Sequence, residues 1–439
     1  MSIRARRVLA VAVLVLSGCT GDTSPPQDPA DRPPSPGSSA LPVEPKGTVT
    51  VGFVGAPDTL DPYARTASDL TRALVRPLLP SLFRLQPDGA TLPLLARDLS
   101  PIDGGVRVVL ADLEWSDGEP VTATDVVRSV RRARFPSGFA AVRTARAISK
   151  DTVDLKGSID DWPDALATAA YVLPDGRWDP EVTSGPLEFV RYRQDAELHL
   201  RASSGAPVAF KDWRLQFFDQ GGSLIERLSS GELDAAHLPS AVNLADRLNR
   251  QEIAHASALG WEWIGLKTSD DAVAGALARS VQSAALQEAF IRSDGQPEEV
   301  RWPPAGESEG TEGYPGSAEG ASFTVAVPTG DELLTMLQKA IQLQSQERGA
   351  VMELADVEAR TFYGRWQSQA PFDALLMRSV GAPFLSSRAP EAVGPNLSLF
   401  RVKTYVAWGG SLAPLSVNPT IEGALWDVEG WRRAVPEGE

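Results

Sequence analysis

The sequence predicts an α/β fold with a parallel-type sheet, and three observations predict it. The segment TVTVGFV sets Val49, Val51 and Phe53 against Thr48, Thr50 and Gly52, the period-2 alternation of a strand. From residue 261 onward strand-like and helix-like segments alternate: WEWIGL, VAGALARSVQSAALQEAF, FTVAVP, ELLTMLQKAIQLQSQERG, VMELADV and FDALLMRS. The chain is 439 residues long, enough for more than one domain and a large core.

The remaining elements follow in order. Gly55 to Pro62 reads as the loop closing the first strand. DLTRALVRPLLPSLFRL spaces its leucines helically and breaks near Pro77 and Pro80. VRVVLADLEW is a strand, and SDGEP a turn by its Asp-Gly and proline. TATDVVRSVRRARF is a helix capped by Thr122, with Asp125 completing the box three residues on. Strands follow at TVDLKGS, LEFVRYR, AELHLRA and WRLQFFD, and SLIERLSSGELDAAHLP reads as helix, glycine stop and short strand. PPAGESEGTEGYPGSAEGAS, residues 303–322, reads as a solvated loop. The arginines 128, 131, 132, 134, 143 and 146 read as a solvated helix face, with docking onto an anionic partner as the sharper alternative.

The ends and the composition bound function. Arg4, Arg6 and Arg7 precede an apolar run, Val8–Leu16, of nine residues, too short for a spanning helix of about 20. That order is a secretory signal peptide over residues 1–18. LSGC ends it at Cys19, the single cysteine of the chain, and resembles a lipobox. Acylation there would anchor the protein, each buried CH₂ contributing about 0.8 kcal/mol. The Pro/Ser/Gly/Asp-rich stretch to residue 46 cannot offset its ordering entropy and reads as a tether with an end-to-end distance of about 30 Å. With Cys19 acylated, no thiol nucleophile or disulfide remains. The three histidines, His199, His237 and His255, have no ligand spacing, which argues against histidine-based zinc sites and Ser-His-Asp catalysis. A net charge of −15 argues against nucleic-acid binding. An enzyme is not expected, nor a metal or cofactor.

Five segments then resemble the extracellular solute-binding proteins of family 5, which serve oligopeptide, dipeptide and nickel ABC importers. They are TLDP (59–62), EWSDGEPVTATDVVRSVRRA (114–133), TSGPLEFVRYRQDAELHLR (183–201), LIERLSSGELDAAHLP (224–239) and WIGLKTSDDAVAGALARSVQSAA (263–285). The second and fourth are the specific ones. The resemblance implies a two-lobed, periplasmic-binding-protein-like (type II) fold with mixed sheets, a hinge and a smaller N-terminal subdomain, in a shortened, divergent member. It implies lobe I at 47–64, 180–263 and 397–439, the subdomain at 65–179 and lobe II at 264–396.

It also implies a ligand cleft lined by Gly55, Ala56, Pro57 and Asp58, by Thr183, Ser184 and Gly185, by Trp261 and Trp263, and by Ser379, Val380 and Gly381. The aromatic pair offers stacking surface for a peptide, sugar or ring, with core packing as the alternative. The chain departs from the family at Lys267, where asparagine is usual. It departs again after Phe372-Asp373, where LLMRSVGAPFLSS holds no acid to take a peptide's amino group. The expected function is a membrane-tethered, monomeric receptor on the extracytoplasmic face that passes a small, peptide-like solute to an ABC importer permease. The alternative is a receptor-derived envelope lipoprotein that has lost solute capture and binds a partner protein.

Overall fold

The computed structural model describes residues 44–64, 67–133, 142–292, 295–297, 318–358, 362, 371–380 and 397–435. Cys19, Arg134, Gly381 and most of the 303–322 loop lie outside them, and so do residues 1–43. The alternation of β1 (Thr48–Val54) buries Val49, Val51 and Phe53. The subdomain follows, beginning with α1 (Asp69–Val75), whose Ser68 and Thr71 form a reciprocal capping box before Pro77 bars further helix. Next come a hairpin, β2 (Phe83–Leu85) with β3 (Thr91–Pro93), and then β4 (Ala96–Ile102), β5 (Gly105–Leu110), α2 (Ala123–Ala133), β6 (Val142–Ala147), β7 (Thr152–Gly157) and α3 (Trp162–Ala169). Four of these strands pair antiparallel in the order β4-β5-β7-β6. The predicted capping at Thr122 is present, with Asp125 Oδ2 accepting from both the backbone N–H and the hydroxyl of Thr122.

The chain returns to β1 through β8 (Leu187–Arg193), β9 (Glu197–Ala202), β10 (Asp212–Phe218), α4 (Gly221–Ser229), β11 (Ala235–Leu238) and α5 (Leu244–Arg250). β1 lies between β10 and β11 and is parallel to both, while β8 and β9 extend the edge antiparallel. Helices α4 and α5 cover one face with Leu224, Ile225, Leu244 and Leu248. The other face packs on the subdomain and the C-terminal segment around Trp213, whose ring lies 5.3 Å from that of Trp431.

β12 (Ala254–Lys267) carries the chain across to the second lobe, formed by α6 (Asp271–Ser280), α7 (Ser283–Leu286), β13 (Gly295–Pro297), β14 (Ser322–Pro328), α8 (Glu332–Glu347), β15 (Val351–Val357) and β16 (Ala374–Val380). β17 (Leu397–Trp408) brings it back. β14 is parallel to both β15 and β16. β12 pairs antiparallel with β17 along its length, the register slipping at Leu259/Glu262 and Ile264/Gly265. One sheet, ordered β15-β14-β16-β12-β17-β11-β1-β10-β9-β8, therefore runs through both lobes, and β12 and β17 are the strands that join them.

Two expectations change in the structure. The helix expected over VAGALARSVQSAALQEAF breaks after Ser280, where Val281 turns extended (φ −79°, ψ 124°). Ser280 Oγ bonds back to Ala276 O at 2.8 Å, and the Gln282 N–H is drawn to Gln344 Oε1 on α8 at 2.9 Å. The sheet is also not purely parallel-type, because the two joining strands and the outer strands run antiparallel.

Candidate functional site

Parallel strands aim their carboxyl ends one way, and in open α/β sheets ligands bind beyond those ends. Here both lobes present such ends to the same space. β1, β10 and β11 finish at Val54, Phe218 and Leu238, and β14 and β16 finish at Pro328 and Val380. A cavity of about 550 Å³ lies between them, within the roughly 300–1,000 Å³ of small-molecule sites. The first lobe lines it with Val54, Gln220 to Gly222, Leu238 to Ala241, and Arg247. The second lines it with Gly330 to Leu333, Lys339 and Arg378.

Among the described residues, three contacts tie the second lobe to the rest of the protein near this cavity, two to the first lobe and one to the subdomain. Gly330 (φ +91°) comes so close to Asp219 that an added Cβ would lie 2.9 Å from its carbonyl oxygen. The Val380 N–H donates to Asp69 Oδ2 at 2.8 Å. Arg378 makes the third contact and is the most connected. Its Nη2 donates to Ser240 O at 2.6 Å across the cleft, and its Nε donates to Asp331 Oδ2 at 2.6 Å. Its Nη1 reaches Glu262 Oε1 at 3.4 Å, while Glu262 Oε2 accepts from the Thr404 hydroxyl at 2.8 Å. Glu262 is only 4% exposed. Burial pushes its carboxyl above the usual range, against the pull of Arg378. Asp331 has a second duty as the N-cap of α8, accepting from the Leu334 N–H at 3.0 Å.

Of the sequence-predicted residues, Gly381 lies outside the described residues, and the others are not among those lining this cavity. Gly55 to Asp58 continue directly from Val54, with Tyr192 donating its hydroxyl to Pro57 O. Thr183 to Gly185 seat the crossover on the subdomain: the Ser184 and Gly185 N–H groups both donate to Leu78 O, at 3.1 and 3.0 Å. A Cβ on Gly185 would lie 2.0 Å from Pro77 O. Trp263 pairs with Ser379 and Ile264 with Arg378, so the strand's alternation puts Trp263 and Ser379 on the face opposite Arg378 and Glu262, while Trp261 sits in the irregularity after Leu259, its N–H donating to Pro419 O at 2.9 Å. Both tryptophans are half-buried. Val380 is at the cleft through its bond to Asp69.

Sequence reasoning missed Arg378, Glu262, Asp331, Ser240 and Arg247. Two of them left a trace: Arg378 is the one charge in the apolar run ALLMRSV, and Glu262 stands between two tryptophans. Charges inside strand segments are rarely buried without a partner. Among the described residues no group of three or more His, Cys, Asp or Glu side chains is placed to hold a metal ion. Among them, too, no helix is long and apolar enough to cross a membrane.

This architecture is the two-lobed, type II periplasmic-binding-protein fold. Several solved structures share it over nearly their whole length. The PBP AgaA of A. tumefaciens, in complex with agropinic acid, has a TM-score of 0.72 and 16% identity, covering 89% of this chain and 99% of that one. The oligopeptide-binding protein AppA of Bacillus subtilis, holding a nonapeptide, has a TM-score of 0.71 and 14% identity, covering 89% and 100%. NikZ from Campylobacter jejuni, in complex with Ni(L-His), has a TM-score of 0.68 and 15% identity, covering 88% and 100%. No protein-family profile matches the chain, and no curated protein sequence does.

Proposed function

We propose that this protein is a solute-binding receptor of the family 5 type, which captures a small molecule between its lobes and delivers it to an ABC importer. The observation that carries the reading is the cavity at the carboxyl ends of both sets of parallel strands, with Arg378 spanning from one wall to the other. A ligand held there contacts both lobes, and only such a ligand favours the closed arrangement over an open one. β12 and β17 are the connections about which the lobes would part. The proposed division is lobe I at 47–64, 180–263 and 397–439, subdomain at 65–179 and lobe II at 264–396. Residues 1–18 are proposed as a signal peptide, with Cys19 lipidated and the body tethered to the outer face of the membrane as a monomer. The fold is one of binding proteins, and the receptor's work is binding and release, not covalent chemistry.

Gly55 to Asp58, Val380 and Gly381 remain proposed contacts at the cavity's edge, by their continuity with Val54 and Arg378, and Ser379 remains proposed with Trp263 on the other face. Thr183 to Gly185 and the tryptophan face are proposed as a separate surface that a larger, peptide-like solute would reach. Titration of the Trp261→Ala/Trp263→Ala double variant decides that part: an unchanged Kd removes the tryptophans from the site. The reading as a whole is tested by thermal melts of residues 42–439, one compact unit, refolded to strip carried-over solute. Peptides, amino acids, sugars, organic acids, polyamines and nickel chelates form the panel. One chemical class giving a dose-dependent rise in Tm supports the receptor. A flat response from folded protein would favour the partner-binding lipoprotein instead.

A further inference from the structure

We propose that the cavity is built to hold one anionic group, a carboxylate above all, between the N-terminus of α4 and Arg247. This rests on the receptor reading and names the substrate class of that site: small organic acids whose carboxylate enters the first lobe.

The first turn of α4 is left open. The first amides of a helix have no intrahelical partner and carry the positive end of its dipole. Three other helices cap them with a carboxylate, Asp161 on α3, Asp270 on α6 and Asp331 on α8, and α1 with Ser68, whereas α5 and α7, like α4, make no side-chain cap. At α4 the N-cap is Gln220, in extended conformation (φ −139°, ψ 140°), and it makes no side-chain cap. The next two residues, Gly221 and Gly222, line the cavity and offer backbone without side chains. An added Cβ on Gly221 would meet nothing nearer than Val54 Cγ2 at 3.8 Å. Backbone amides open to a cavity at a helix N-terminus are a ready-made anion site.

Two further groups point to the same occupant. Ser240 is 1% exposed, lines the cavity, and has a hydroxyl that meets no partner. A buried hydroxyl left unsatisfied costs about 1–3 kcal/mol, and a ligand acceptor would remove that cost. Its carbonyl is already taken by Arg378, which fixes the residue in place. Arg247 is half-buried and lines the cavity, and a Cβ built on Gly222 would lie 3.6 Å from its Nη2. The guanidinium thus stands beside the open first turn, and among the described residues it makes no hydrogen bond or ion pair. Guanidinium, hydroxyl and helix amides form a donor set suited to a carboxylate.

The acids of the cavity do not cancel this. Asp331 is consumed by Arg378 and the α8 amide. Glu332 is exposed on the second lobe, and Lys339 stands with it on α8. Glu332 and Lys339 offset one another, so the second lobe adds no net charge against an anion held in the first.

The test uses residues 42–439, refolded free of solute, and pairs each acid probe with its own amide: N-acetylglycine with N-acetylglycinamide, pyroglutamate with pyroglutamamide, 4-hydroxybenzoate with 4-hydroxybenzamide. Neutral sugars and uncharged peptides run alongside. The expected result is that an acid binds while its amide binds at least about tenfold more weakly. Arg247→Gln and Ser240→Ala should each weaken the acid by a similar factor without lowering the Tm of the free protein. Equal binding of acid and amide, or an acid Kd indifferent to Arg247→Gln, overturns the carboxylate site. Capture of a neutral or cationic solute alone overturns it too, yet leaves the receptor reading standing. Silence across every class removes both.

Discussion

Replacing Arg378 with methionine keeps an unbranched apolar stem and deletes the guanidinium with its charge. The interactions that go with it include two to Asp331, at 2.6 and 3.3 Å, one to Ser240 O at 2.6 Å, and one to Glu262 at 3.4 Å. What remains is worse than a simple absence, because Glu262 and Asp331 stay in the closed interface without a cation. Breaking a buried ion pair from one side costs about 3–5 kcal/mol, and that is the loss expected in urea unfolding followed by tryptophan fluorescence.

The pH dependence has a definite sign. Burial already raises the Glu262 carboxyl, and Arg378 is the largest influence holding it down. Without Arg378 the folded-state value rises further above the unfolded one. A group raised in this way costs least where it is protonated in both states, at the acid end. It costs more as pH climbs through the folded-state value. The deficit of Arg378→Met should therefore be smaller near about pH 5 than near about pH 8. Adding Glu262→Gln and Asp331→Asn removes the stranded charges while keeping the α8 cap, so the triple variant should recover most of the loss. If Arg378→Met unfolds within about 1 kcal/mol of the parent at both pH values, Arg378 does not hold the lobes together and this account of the interface is wrong.

Other outcomes follow from single observations. Gly185→Ala puts a Cβ 2.0 Å from Pro77 O and 2.6 Å from Pro77 C, which are backbone atoms that cannot rotate aside. A loss of about 1–3 kcal/mol is expected in the same urea assay. Glu422→Ala strands Arg76, whose Nε lies 3.5 Å from the Glu422 carboxylate at a site where both side chains are nearly inaccessible. That should cost about 3–5 kcal/mol and loosen the C-terminal segment, read as faster amide exchange at Leu85. Desolvation drives the His237 pKa from 6.5 down to about 4, so its contribution to stability is full above pH 6.5 and is lost as pH falls toward 4. His237→Gln should flatten that acid limb by about 1–3 kcal/mol.

The parts of the fold legible in the sequence are those with strong local signals. The alternation of β1, the capping box at Thr122 and the glycine stop at Gly231 are all present in the structure. β17 was harder to foresee: SLFRVKTYVAW is strand-like, but its role as the second joining strand depends on pairing with β12, over 130 residues away. The break at Ser280 is equally non-local, drawn by Gln344 on another helix. For the same reason the cavity was not legible. Ser240, Arg247, Asp331 and Arg378 come from four separate stretches, and none makes a motif alone. Resemblance pointed to the loop edges and to Trp261 and Trp263, whereas the pairing of β12 with β16 sends Glu262 and Arg378 to the face opposite Trp263.

The measurement that bears most directly on the cavity is a calorimetric titration of the captured solute into Ala241→Trp. Ala241 lines the cavity and is half-buried, so an indole there occupies the space a ligand would need. Abolished binding by a variant that melts like the parent is the predicted result. Unchanged affinity in Ala241→Trp would contradict the account and move the ligand to the other face of the sheet.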